Sequence, residues 1–156
     1  MGKYFVMSMR FNKCSAQDFG LILQNNGQTI DQNDGSIWIK TNLYDFGWGK
    51  ENGYYKVPLP DFSKLLDLTL YSEDYEDMYG AASVILYKYP DELLNQCEII
   101  MVDQKRKKEL KKLIKLFNLS VPLNRSSTLQ KTYAQIQDDA ERWKKVSDLA
   151  KNLDVK

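Results

Sequence analysis

The 156-residue chain contains no histidine and only two cysteines, Cys14 and Cys97. The first absence removes the commonest general acid-base and the commonest metal ligand. The second leaves no Cys-x-x-Cys pair for zinc, and a thiol nucleophile would have no imidazole to activate it. There is no Gly-x-Ser-x-Gly elbow, no phosphate-binding P-loop and no Gly-x-Gly-x-x-Gly turn. The run Phe46-Gly47-Trp48-Gly49-Lys50 has the glycines of a phosphate cradle without its spacing or the helix that must follow. No metal, no cofactor and no enzymatic activity are expected.

Long apolar runs are missing as well. No stretch approaches the roughly 18 apolar residues needed to cross a bilayer. The opening MGKYFVMSMRFNK alternates apolar and polar residues where a secretory signal has a continuous apolar core. A cytoplasmic address follows, with no membrane partner and with the two thiols reduced.

What is present is distributed unevenly. Residues 1–102 carry 8 basic and 14 acidic side chains, whereas residues 103–156 carry 14 basic and 7 acidic ones. The net charge of +1 conceals this asymmetry. Aromatic residues follow the acids: 16 of the 19 lie in residues 1–102, leaving only Phe117, Tyr133 and Trp143 beside the lysines. A single-strand nucleic-acid binder interleaves cations with stacking rings. Here the two are separated, and an acidic, aromatic-rich surface instead suits a basic protein partner.

The length is one domain's worth, so residues 1–156 are read as a single domain with a mixed part over 1–70 and a helical part over 71–156. Tyr4 to Phe11 alternates like a strand, with Phe5, Met7, Met9 and Phe11 on one face. Ser15 can cap a short helix reaching about Asn25, with Phe19, Ile22 and Leu23 as its stripe. Asn33-Asp34-Gly35 is turn chemistry and predicts a hairpin over about 28–42. Tyr54 to Val57 reads as a short edge strand, and 61–70 as a helix in its first half.

From Ser72 the spacing becomes helical, with Tyr75, Met78, Tyr79, Ala82, Ile85, Leu86 and Tyr89 on one face. Pro90 suits the first turn of a new helix, with Asp91 and Glu92 at the positive end of its dipole. A third helix follows Asp103, its face Leu110, Leu113, Ile114 and Phe117 flanked by lysines. Ser127 and Gln130 have the capping-box spacing that would open a last long helix. The fold class is α+β: a short N-terminal antiparallel sheet with one helix, then a C-terminal bundle of about four helices.

The dense acids Glu73, Asp74, Glu76 and Asp77 lie in the run YSEDYEDMYGAASVILYKYPDELL. With it the chain resembles the small cytosolic immunity proteins of bacterial toxin and immunity pairs. The resemblance implies a non-enzymatic protein that neutralises a cognate toxin by occluding its active site through an acidic surface. On that reading Glu73, Asp74, Glu76 and Asp77 face the toxin or another basic protein, with Trp48 and Tyr54 as anchors. The alternative is a nucleic-acid-associated regulator that uses Lys107, Lys108, Lys111 and Lys112 of the basic segment 105–115. The complementary charges also permit a homodimer.

Overall fold

The computed structural model describes residues 3–7, 16–44 and 50–154. It has the expected α+β class, with an antiparallel sheet followed by helices. The chain divides into two compact units, Met1–Val84 and Ile85–Lys156, and the division falls inside the helix Tyr75–Lys88.

Among the described residues of the first unit, five strands form one sheet: β1 (Phe5–Met7), β2 (Leu21–Leu23), β3 (Thr29–Asp31), β4 (Ile37–Tyr44) and β5 (Lys50–Lys56). Their order is β1-β5-β4-β3-β2, with every neighbouring pair antiparallel. The expected hairpin is β3–β4. In its turn the Asp31 carboxylate accepts from the Asn33 N–H and the Asp34 carboxylate from the Ser36 N–H.

Two expectations about this unit are corrected. The helix over 15–25 is a single 3-10 turn, Ala16–Phe19, followed by β2. Gly20 takes φ +82°, a left-handed conformation that ends the turn, and pairing with β3 then holds Leu21–Leu23 extended. Sheet pairing overrides a local apolar stripe that fits either period. The short edge strand expected at Tyr54–Val57 is the end of β5, which runs seven residues between β1 and β4 and has partners on both sides. The continuation of the first strand to Phe11 lies outside the described residues, as does Cys14.

Side chains alternate between the two faces of a sheet. Phe5 and Met7 point to one face and are fully buried, while Val6 points to the other and joins a smaller cluster with Leu21 and Trp38. Both faces of β1 are therefore covered, and all three of its residues are apolar and buried. The helix α1 (Phe62–Tyr71) extends through the whole segment, beyond the half expected. Asp61 caps it by accepting from the Lys64 N–H at 2.9 Å. In α2 (Tyr75–Lys88) Gly80 lies against Phe5: a Cβ there would sit 2.3 Å from the Phe5 Cγ, so only glycine permits this approach.

The second unit contains α3 (Pro90–Met101), a 3-10 turn (Gln104–Arg106), α4 (Lys107–Phe117) and α5 (Tyr133–Asp154). Pro90 opens α3 as expected, with Asp91 and Glu92 in the first turn. Its core gathers Leu93, Leu94, Cys97 and Ile100 with Leu113, Ile114, Leu119, Trp143 and Val146, all buried. Asn118, in the left-handed conformation at φ 53°, ends α4.

The capping box of the last helix is real but lies five residues beyond the expected Ser127/Gln130 pair. The Thr132 hydroxyl accepts from the Gln135 N–H, and the Gln135 side-chain carbonyl accepts from the Thr132 N–H. Consequently Leu129 precedes the helix and Tyr133 stands at its first position, and they are 82% and 77% exposed. Preceding the helix, Arg125 organises the connector by donating to the carbonyls of Asn118, Val121 and Leu123 at 2.9–3.1 Å. Its guanidinium also stacks 5.2 Å from the ring of Trp143.

Candidate functional site

The acidic cluster at the start of α2 is split by the fold. Asp77 is buried, and its Oδ1 accepts from the backbone N–H groups of Tyr4 and Phe5, both at 2.9 Å. Glu76 is buried too, and its Oε2 accepts from the Met7 N–H at 2.8 Å. Among the described residues β1 lies at the edge of the sheet, so one row of its N–H groups faces away from β5 with no partner strand there. The two carboxylates supply those acceptors.

Lys3 completes the clasp, with its ammonium 2.5 Å from Asp74 and 2.9 Å from Glu76. Burial alone would lower the Lys3 pKa, but the hydrogen bonds and charges of Asp74 and Glu76 outweigh it and hold the ammonium above its ordinary value. Asp74 also accepts from the N–H groups of Glu76 and Asp77, which fixes the first turn of α2. Of the four acids proposed to face a partner, Glu76 and Asp77 thus hold β1, Asp74 is half-buried in the same network, and Glu73 is exposed.

Trp48 lies outside the described residues. Tyr54 is half-buried against Val6, Leu21 and Trp38, and it lines a groove of about 590 Å³ with Leu23, Thr29 and Lys40. Among the described residues of this unit the exposed aromatic side chains are Tyr71 and Tyr75, at 59% and 62% exposure, and the ring of Tyr75 stacks on Tyr79 at 6.2 Å. Spacing alone places Tyr75 in the buried stripe of α2. Nothing in the spacing separates Tyr75 from the buried positions of that stripe.

Asp67 is exposed on α1, one helical turn before Tyr71. The end of α1 and the start of α2 therefore carry Asp67, Tyr71, Glu73 and Tyr75 on their exposed positions. These aromatic and acidic side chains are of the types that anchor and steer a basic protein.

In the second unit Cys97 is buried, and burial pushes its thiol up to about 12, so it stays protonated near neutral pH. Among the described residues, no group of three His, Cys, Asp or Glu side chains could hold a metal ion. No described helix is long and apolar enough to cross a membrane.

The polar groups of this unit form a connected network. Lys131 binds Asp91 at 3.1 Å and Asp139 at 2.6 Å. Arg142 binds both carboxylate oxygens of Glu98 and the side-chain carbonyl of Asn95. The hydrogen bond from Arg142 holds the Glu98 carboxyl below its ordinary range despite partial burial. A carboxylate depressed in this way stabilises the fold above its unfolded pKa of about 4, and the benefit is lost as pH falls through the depressed value. On acidification from about pH 7 to about pH 3, Glu98→Gln is expected to lose less of its denaturant midpoint than the parent protein. Equal losses in the two proteins, followed by circular dichroism, would remove Arg142–Glu98 from the acid response.

Of the basic residues singled out from sequence, Lys107, Lys108 and Lys111 are exposed on α4, while Lys112 is half-buried. The apolar face of the same helix, Leu110, Leu113, Ile114 and Phe117, is buried as expected. No family model matches the chain, and neither a curated protein nor a solved structure matches it.

Proposed function

We propose that the protein is a non-enzymatic binding module whose partner is a basic protein, in the manner of an immunity protein that occludes the active site of a cognate toxin. The observation that carries this reading is the exposed pair Tyr71 and Tyr75 beside Glu73 and Asp67. Tyrosine gives large, rigid contact area at low entropic cost, and carboxylates around it raise the encounter rate with a cationic partner. The chain also lacks histidine, and its buried Cys97 thiol is a poor nucleophile, so little in its chemistry points to catalysis.

The contact surface on this reading is Tyr71, Glu73 and Tyr75, in place of the full set Glu73, Asp74, Glu76, Asp77, Trp48 and Tyr54. Glu76 and Asp77 contribute indirectly by fixing α2 against β1.

The test is a tagged pull-down from the native host with nuclease treatment, followed by titration of the recovered protein. One stoichiometric basic protein is expected, and Tyr71→Ala/Glu73→Lys/Tyr75→Ala should weaken it by more than about 100-fold, as loss of interface hot spots does. A triple variant that is folded and binds with parental affinity would reject this surface. Recovery of no stoichiometric protein would reject the function.

A further inference from the structure

The exposed lysines of α4 lie in the second unit and carry a separate inference. At about 100° per residue, Lys107, Lys111, Lys115 and Lys108 occupy one arc of about 100° and rise about 12 Å along the axis. All four are exposed, and the buried residues Leu110, Leu113, Ile114 and Phe117 fill another side of the helix. The one acid of the helix, Glu109, is bound to Arg106 at 2.6 Å. Among the described residues no carboxylate lies within 4.0 Å of these four ammonium groups.

The arrangement works against the isolated helix. Lys107/Lys111 and Lys111/Lys115 are like charges at i,i+4, which repel. Lys107 and Lys108 also stand in the first turn, where the helix dipole disfavours cations. A polyanion laid along this face would relieve both. We infer that the Lys107, Lys108, Lys111 and Lys115 face of α4 docks the phosphate backbone of double-stranded nucleic acid without reading its sequence.

Duplex is favoured over single strand because single-strand sites add aromatic stacking platforms. The sole aromatic residue of α4 is Phe117, which is buried, and the exposed rings of the unit, Tyr87 and Tyr133, lie on other helices. Duplex is favoured over an anionic membrane because interfacial helices immerse their apolar face. Here that face is committed to the core of the unit.

The surface is tested by fluorescence anisotropy of a labelled 20-base-pair DNA duplex titrated with the full chain. Four phosphate contacts predict a log–log salt slope near about −3.6, so affinity falls about 100-fold between 50 and 200 mM salt. Exchange of the four lysines for glutamine (K107Q/K108Q/K111Q/K115Q) should weaken binding at 50 mM salt by more than about 30-fold and flatten the slope. Exchange for arginine should retain both, since guanidinium binds phosphate at least as well. A duplex RNA of equal length should bind comparably if backbone charge is what is recognised.

The inference is overturned if the parent protein does not bind duplex at 50 mM salt, if the glutamine variant binds as the parent does, or if the arginine variant loses binding. Tighter binding of a 20-nucleotide single strand overturns it. So does binding to phosphatidylserine vesicles without binding to duplex. The salt slope of the parent protein is a readout that does not depend on any variant folding. None of these outcomes bears on whether a basic protein occupies Tyr71 and Tyr75.

Discussion

Asp77→Ala is expected to destabilise the first unit by about 2–4 kcal/mol, because it leaves the buried Phe5 N–H and the part-buried Tyr4 N–H without their acceptor. Each orphaned backbone donor costs about 1–3 kcal/mol, and the whole stability of a domain is about 5–15 kcal/mol. Asp77→Asn should cost much less, since the amide keeps a carbonyl oxygen for the same two donors. Burial holds the Asp77 carboxyl above its ordinary pKa in spite of those two bonds. Folding therefore disfavours its ionisation relative to the unfolded chain. The part of its contribution linked to titration is fully present below its unfolded pKa and is lost as pH rises through the raised value, while the two accepted bonds remain. Urea unfolding measures the difference between the two variants, and hydrogen exchange at Tyr4 and Phe5 localises it. An alanine variant within about 0.5 kcal/mol of the parent, a typical surface-substitution effect, would show that the clasp does not hold β1.

Trp143→Ala should have an effect at least as large in the second unit. The side chain is fully buried, its indole N–H donates to the Ser126 hydroxyl at 2.8 Å, and Arg125 lies over its ring. Truncating a buried Trp costs about 3–5 kcal/mol through lost burial and the cavity left behind. Arg125 would also lose the ring it stacks on, which loosens the connector whose three carbonyls it binds. Trp143→Phe retains an aromatic ring but leaves Ser126 without its indole donor, so an intermediate loss is expected. Unfolding midpoints give the energetic order, and the rate of tryptic cleavage after Arg125 reports the connector. If the alanine variant unfolds with the parent and is cut no faster, Trp143 does not organise this region.

The immunity-protein reading and the duplex-docking inference use opposite charges on different elements. The first depends on Tyr71, Glu73 and Tyr75 at the α1–α2 junction, the second on four lysines of α4. Charge reversal at one should leave the binding of the other's partner unchanged, which makes the two independently testable.

Elements whose signals are local were legible in the sequence. Pro90 with Asp91 and Glu92 marks a helix start, Asn33-Asp34-Gly35 marks the turn of a hairpin, and Leu110, Leu113, Ile114 and Phe117 mark the buried side of α4. Each depends on residues within a few positions of one another: a fixed φ, a tolerated turn conformation, or a 3.6-residue period. The asymmetry of charge and the absence of histidine are likewise properties of the chain alone.

What only the tertiary structure decided depends on partners distant in sequence. Leu21–Leu23 carries the stripe of a helix, yet pairing with β3 makes it a strand. Glu76 and Asp77 sit in a first helical turn, where carboxylates are ordinarily exposed and favoured by the dipole. They are buried because a strand about 70 residues earlier presents edge N–H groups that need acceptors. Spacing within the run YSEDYED cannot register a donor that far away. The assignment of these acids to structure, and of Tyr71 and Tyr75 to the surface, follows from satisfying backbone hydrogen bonds across the fold, a constraint that acts in three dimensions.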